Sequence, residues 1–118
     1  MKIVTTQNKG IRVTVGDWDV SVQWSPMNYC SGKAGGMSGV LQAMNDMKAG
    51  KPAPACDTVE VAVINNADEY WCRGANGDTV WGWVPVDKVM LLLVKLHIEK
   101  DPTHARVEKL VKETFDND

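Results

Sequence analysis

The chain has 118 residues, 44% of them hydrophobic and 24% charged, with a formal net charge of −2. This length and composition predict one globular domain spanning residues 1–118 and exclude a disordered chain. Charges of both signs are scattered, so we expect no duplex nucleic acid as a partner. No apolar run approaches the roughly 18 residues that a membrane-spanning helix requires, so we expect no membrane partner either.

The chemistry-bearing residues are sparse. Cys30, Cys56 and Cys72 form no Cys-x-x-Cys pair, and their odd number beside a polar N-terminal stretch indicates reduced thiols in a cytoplasmic protein. His97 and His104 have no ligand-like spacing to these cysteines, so we expect no metal ion. No spacing is typical of a catalytic set or a cofactor site, and the sequence favours a binding protein over an enzyme.

The first strands are visible as apolar residues at every second position. Residues 11–15 and 18–24 alternate on either side of Gly16-Asp17, which predicts a β-hairpin with a tight turn. Residues 3–5 fit a short strand before this hairpin.

Residues 28–57 interrupt the alternation with glycines and prolines and form a predicted insertion. Within it we predict a helix of two or three turns with Ser38 as its N-cap. The apolar residues with helical spacing are Val40, Leu41, Met44 and Met47.

The second half predicts three more strands. Residues 59–63 alternate, residues 65–68 have the composition of a turn, and residues 70–73 and 79–84 are predicted to pair as a hairpin around Asn76-Gly77.

Two helices are predicted to complete the chain. The first covers residues 86–98, and the second is expected to start with Asp101 as its cap and Pro102 at its first position. The predicted apolar stripe of the first helix comprises Val86, Val89, Met90, Leu93, Leu96 and His97. Because Leu91, Leu92 and Val94 lie off that stripe, we expect this helix to be covered on a second side by a partner subunit or by the last helix. The predicted fold class is α+β: an antiparallel sheet of about six strands with a short inserted helix and two C-terminal helices.

A tryptophan cluster is the strongest candidate for a binding site. Trp71, Trp81 and Trp83 surround a loop that also holds Arg73 and Asn76. Alternation along a regular strand would point Trp81 and Trp83 to the same face. Either this face packs against the helix 86–98 as core, or at least one ring stays exposed to stack a planar ligand.

Two further residues are candidate ligand contacts. Arg106 lies beside the apolar Val107 on the last predicted helix and could reach the rim of an interface, where a guanidinium can bind phosphate. Tyr29 precedes Cys30-Ser31-Gly32-Lys33, which resembles half of a phosphate-binding loop but lacks the remaining Walker residues.

Trp71 followed by Gly82-Trp83-Val84-Pro85 and Val89 resembles the second half of an SH3 domain. This resemblance covers about twenty residues at 71–89 and implies a module that binds Pro-rich segments on an aromatic groove.

A second resemblance covers more of the chain. Its elements are Trp18-Asp19-Val20-Ser21-Val22, Tyr29-Cys30-Ser31, Glu60-Val61-Ala62-Val63, and Gly82-Trp83-Val84-Pro85 leading into a helix. This order is similar to small phage proteins, most of all the first-described phage anti-Thoeris family.

That family resemblance implies an oligomeric sponge, a dimer or hexamer in the host cytoplasm, that sequesters a cyclic nucleotide without turnover. The ligand would be a cyclic ADP-ribose-like signal or a cyclic oligonucleotide, held between protomers by aromatic, Asn and Arg side chains. The alternative is a protein-interaction module: an SH3-like peptide binder, or a phage inhibitor of a host protein complex such as a CRISPR effector.

Overall fold

The structure is a computed structural model that describes residues 1–6, 9–25, 28, 30, 33–51 and 55–116. Over these residues it has six strands in one antiparallel sheet and three helices, which confirms the predicted α+β class. The strands are β1 (Lys2–Thr5), β2 (Gly10–Val15), β3 (Trp18–Gln23), β4 (Thr58–Asn65), β5 (Tyr70–Trp71) and β6 (Trp81–Pro85). The helices are α1 (Gly36–Lys48), α2 (Val86–Ile98) and α3 (His104–Phe115).

The strands β1, β2, β3 and β4 are neighbours in chain order. The predicted hairpin of β2 and β3 is confirmed: Val15 pairs with Trp18, and the turn between them contains Gly16 with a φ of 61°. A left-handed φ is what a two-residue turn between twisted strands requires. The insertion that holds α1 leaves the sheet after β3 and returns at β4.

The predicted hairpin between residues 70–73 and 79–84 is wrong. β5 and β6 do not pair with each other; both run antiparallel to β4, along the same edge. β5 pairs at Ile64 and Asn65, and β6 pairs between Thr58 and Val61. The eight residues of β4 offer an edge long enough for both segments, so the loop around Asn76 leaves that edge and rejoins it.

The prediction that Trp81 and Trp83 share one face is also wrong, because β6 contains a bulge. Val84 pairs with Val59 and Trp81 with Val61, so Gly82 and Trp83 together oppose a single residue of β4. Trp81 therefore points inward and is 9% exposed, whereas Trp83 points outward and is 55% exposed. The backbone of Trp83 adopts a left-handed φ of 49° at this bulge.

Two predicted helix starts are wrong. Gly35 is the N-cap of α1, so the helix starts at Gly36 and the predicted cap Ser38 lies inside it. Thr103 is the N-cap of α3, where its side chain accepts a hydrogen bond from the backbone N–H of Arg106. The predicted start at Asp101-Pro102 is displaced because the Pro102 carbonyl instead accepts a hydrogen bond from Trp18 Nε1 (3.1 Å).

The face of α2 that meets the core differs from the predicted stripe. Val89, Leu92 and Leu96 are buried, whereas Met90 and His97 of the predicted stripe are exposed. The helix packs against both the sheet and α3, which turns the buried face toward Leu92. The core between the sheet, α2 and α3 includes Trp18, Val20, Val61, Val63, Leu92, Val107, Val111 and Phe115.

Candidate functional site

The bulge in β6 forms one side of a hollow of about 640 Å³ at the end of the 72–80 loop. The hollow is lined by Asn76, Asp78, Thr79, Val80, Trp81, Gly82, Trp83 and Asp116. Three of the predicted ligand-binding residues, Asn76, Trp81 and Trp83, are thus brought together. Trp83 provides the exposed aromatic surface of this hollow.

Trp81 is a structural residue at the inner wall of the hollow. Its Nε1 donates to Asp116 Oδ1 (2.9 Å), and its ring meets Phe115 edge-on at a centroid distance of 5.7 Å. Asp116 also accepts from the backbone N–H of Ala75 (3.0 Å). These contacts join the 72–80 loop to the end of α3, which fixes the wall of the hollow.

Among the described residues that line the hollow, the charged groups are carboxylates. Asp78 and Asp116 line it, and the Asn76 side-chain amide already donates to Asp78 Oδ2 (3.0 Å). A phosphate would face two negative charges there, and like charges at close range repel. The lining therefore suits a neutral or cationic planar group better than an anionic one.

The other predicted ligand contacts lie elsewhere. Trp71 on β5 is 43% exposed, and Arg73 Nη1 donates to the Gly77 carbonyl (3.4 Å) within its own loop. Arg106 contacts Glu99 (3.0 Å between Nε and Oε2) at a separate hollow between the end of α2 and α3. Tyr29 lies outside the described residues.

A second cavity, which the sequence analysis did not predict, is an apolar groove of about 340 Å³. It opens between the sheet and the start of α2, beside the segment that returns from the insertion. Its lining comprises Ile11, Val22, Trp24, Ala55, Cys56, Val59, Val86, Val89 and Met90. The alternation of apolar and polar residues along the strands predicts that several of these side chains face inward. It does not predict that the described helices leave this end of the sheet uncovered.

The outer face of α2 is also apolar. Leu91, Val94 and Ile98, here called the outer strip, are 48%, 57% and 68% exposed. Their spacing of three and four residues places them on the side of the helix opposite Val89 and Leu96. Met90, which is 49% exposed, lies between the outer strip and the groove, so the two form one continuous apolar surface.

A polar cluster joins β5 to α3. The Tyr70 hydroxyl donates to Glu108 Oε2 (2.6 Å), and the backbone N–H of Arg73 donates to the same oxygen (3.0 Å). The hydrogen bond to Glu108, together with burial, raises the pKa of Tyr70 to about 12. His104 stacks on the Tyr70 ring at 4.6 Å and contacts Asp68 through Nε2 (2.9 Å).

The same cluster sets the ionisation of two neighbouring groups. Burial acts to raise the pKa of Glu108, but the hydrogen bonds from Tyr70 and Arg73 and the charge of Lys112 outweigh it and lower that pKa. Burial, reinforced by the negative charge of Glu108, raises the pKa of the Cys72 thiol to about 12. This thiol is therefore protonated at neutral pH and unsuited to act as a nucleophile. Tyr70 and Glu108 are 38 positions apart, and no sequence pattern links them.

Two classes of feature are absent from the described part of the chain. Its His, Cys, Asp and Glu residues form no group of three or more that could hold a metal ion. None of its helices has the length and apolar character needed to cross a membrane.

Comparison with known proteins finds no matching family model, no matching curated protein and no matching solved structure. The SH3 and anti-Thoeris resemblances therefore stay predictions.

Proposed function

We propose that this protein is a protein-interaction module that binds an amphipathic helical segment of a partner along its apolar surface. The observation that carries the proposal is the continuity of the groove with the outer strip through Met90. Contiguous exposed apolar surface on a small protein is typical of an interaction site. A helix laid along it would insert apolar side chains into the groove and cover the outer strip.

The chemistry of the groove supports binding rather than turnover. Among the lining residues that the structure describes, the thiol of Cys56 is the only ionisable group, and the remaining side chains are aliphatic, aromatic or thioether. Methionine at the edge of a groove adapts to partners of different shape, because its side chain is flexible and polarizable. Trp24 is the one aromatic residue among the described residues that line the groove. This favours an amphipathic helix over a Pro-rich segment, since Pro-rich segments dock between several aromatic rings.

The proposal is tested with two displayed peptide libraries, one of helices with apolar residues at i, i+3, i+4 and i+7, the other of Pro-rich peptides. Ala55 is exposed at the edge of the groove, so Ala55→Glu adds a charge there without removing core packing. The matched control is Ala67→Glu in the exposed turn before β5. We expect helical peptides selected on the unmodified protein to lose at least tenfold in affinity with Ala55→Glu and to bind Ala67→Glu normally.

Two results would reject this function. The first is that neither library yields a binder. The second is that the selected peptides bind Ala55→Glu and Ala67→Glu equally well, which would place their site outside the groove. If only Pro-rich peptides were selected, the result would instead support the hypothesis of an SH3-like peptide binder.

A second candidate function, sequestration of a cyclic nucleotide, is favoured by the exposed ring of Trp83 beside the 640 Å³ hollow. Stacking of a base on an aromatic ring is worth about 1–3 kcal/mol. The nearby Asp78 and Asp116 oppose a phosphate, so the base and sugar would have to face the hollow.

Calorimetry with cyclic ADP-ribose isomers and cyclic oligonucleotides tests the second candidate. Trp83→Ala should abolish any binding, and Trp71→Ala, which removes an exposed tryptophan outside the hollow, should leave it unchanged. Absence of binding heat with every ligand would reject sequestration of a cyclic nucleotide and would not affect the proposal of an interaction module.

A further inference from the structure

Two thiols meet at the base of the insertion that holds α1. Cys30 Sγ and Cys56 Sγ are 3.8 Å apart, although the residues are 26 positions apart in the chain. The Cys30 side chain is 1% exposed, and Cys56 is partly exposed at the edge of the groove. The pair therefore has one sheltered and one accessible sulfur.

The surrounding backbone holds both thiols in place. Cys30 Sγ donates to the carbonyl of Ser25, and Cys56 Sγ donates to the carbonyl of Trp24, each at 3.5 Å. These two carbonyls are consecutive in the segment that leaves β3. Asn28 braces that segment by accepting from the Ser25 backbone N–H (3.1 Å) and donating to Glu60 Oε1 on β4 (3.2 Å).

We propose that Cys30 and Cys56 form a site of reversible thiol–disulfide exchange with small-molecule disulfides such as oxidised glutathione. A disulfide bond requires the sulfurs to approach to about 2 Å, which is within reach of side-chain rotation from the observed separation. The bond would close a loop over residues 31–55, which contains α1. The inference stands on this pair alone and does not depend on what binds in the groove.

The exchange proceeds in two balanced steps. The Cys56 thiolate attacks one sulfur of oxidised glutathione, which forms a mixed disulfide and releases one glutathione thiolate. The Cys30 thiolate then attacks Cys56 Sγ and displaces the second glutathione. Two electrons pass from the protein thiols to glutathione disulfide, and the two thiol protons are taken up by the two released glutathione thiolates.

Cys72 provides an internal control in the same chain. It directly follows β5 and is fully buried, and burial raises the pKa of its thiol to about 12. A thiol that is both inaccessible and protonated exchanges slowly. In the unmodified protein, oxidised glutathione should therefore oxidise Cys30 and Cys56 and leave Cys72 as a free thiol.

The experiment equilibrates the folded full chain in glutathione buffers, quenches it with an alkylating reagent under denaturing conditions, and maps the peptides. We expect a Cys30–Cys56 linked peptide in oxidising buffer, an alkylated Cys72, and reversal by reduced glutathione. The oxidised protein should melt roughly 5 °C or more above the reduced form, because the crosslink restricts the unfolded chain. Trypsin cleavage after the exposed Lys48 should leave two fragments that separate under denaturing conditions only after reduction.

Two variants sharpen the result. Cys30→Ser, which keeps a hydrogen-bond donor for the Ser25 carbonyl, should stop at a glutathione adduct on Cys56, and Cys72→Ser should retain the crosslink. If the first variant does not fold, the peptide map of the unmodified protein still decides the question. Independent alkylation of Cys30 and Cys56 in oxidising buffer, or a disulfide that joins two copies instead of one chain, would overturn the inference.

Discussion

Trp83 is the residue at which the backbone departs most clearly from a regular strand. Its φ of 49° lies in the left-handed region, which costs an L-residue with a side chain about 1–2 kcal/mol. The bulge that imposes this φ also turns the ring outward and creates the exposed wall of the 640 Å³ hollow. Local strain and the availability of the ring thus have the same origin.

We predict that Trp83→Gly is more stable than Trp83→Ala by about 1 kcal/mol. Both substitutions remove the ring and its contacts. The difference in stability between the two variants therefore reports the cost of the left-handed backbone conformation at position 83. In an ordinary strand the alanine variant is the more stable one, because glycine is more flexible in the unfolded chain. Urea unfolding of the two variants measures the difference, and a more stable alanine variant would contradict the bulge.

Gly10 is constrained by close approach of the backbone. A Cβ atom at this position would overlap the Val22 carbonyl oxygen on β3. The obstacle is backbone and cannot rotate away, so β2 and β3 would have to separate locally.

We predict that Gly10→Ala lowers the free energy of unfolding by about 3 kcal/mol, at the upper end of typical overpacking costs. Gly39→Ala is the matched control, because a Cβ there meets its nearest atom, the Ala34 Cβ, at an ordinary 3.9 Å. The control should gain up to about 1 kcal/mol, since alanine favours the interior of α1. Chemical denaturation measures both variants, and equal stability of the two would contradict this packing.

At the scale of elements, the hydrogen bond from Tyr70 to Glu108 is a main connection between β5 and α3. The pKa of Tyr70 in the folded chain, about 12, exceeds its ordinary value of 10.0. Between these pH values the unfolded tyrosine is ionised while the folded one still holds its proton. The stability that this shift represents is therefore fully present below pH 10 and is lost as the pH rises through about 12.

We predict that Tyr70→Phe lowers the free energy of unfolding by about 1 kcal/mol at neutral pH. The loss should shrink as the pH rises above 10 and vanish above 12, because the unmodified protein then loses the same hydrogen bond. Unfolding measured from neutral to alkaline pH checks this. A difference between the two proteins that stays constant across that range would show that the hydroxyl does not donate to Glu108.

Patterns within one element predicted the fold class, the β2–β3 hairpin and the extent of α2, because periodicity and turn composition are local. The pairing of both β5 and β6 with β4 was not predicted. An Asn-Gly dipeptide indicates a turn, but it does not identify the strand with which the residues on either side of the turn pair. The bulge at Gly82-Trp83 escaped prediction for the same reason: it is defined by its partner strand. The thiol pair and the contact of Tyr70 with Glu108 join distant positions and become visible only in the folded chain.

On the scale of the whole molecule, α2 is apolar on its inner and its outer side. The inner side meets the sheet and α3, while Leu91, Val94 and Ile98 are exposed in a single subunit. A second copy could cover this outer strip. A stable interface buries about 800 Å² on each partner, more than three side chains of one helix supply, so contact through the strip alone would be weak.

We predict that the protein forms a concentration-dependent dimer and that Val94→Lys abolishes it, because the strip would then place two ammonium groups against apolar side chains. Ala105→Lys adds the same charge at an exposed position of α3 and is the matched control. Sedimentation velocity over a wide range of protein concentration should show a rising average mass for the unmodified chain and the control, and a constant monomer mass for Val94→Lys. A monomer at every concentration would reject self-association through α2, and the outer strip would then be available in full to a different partner.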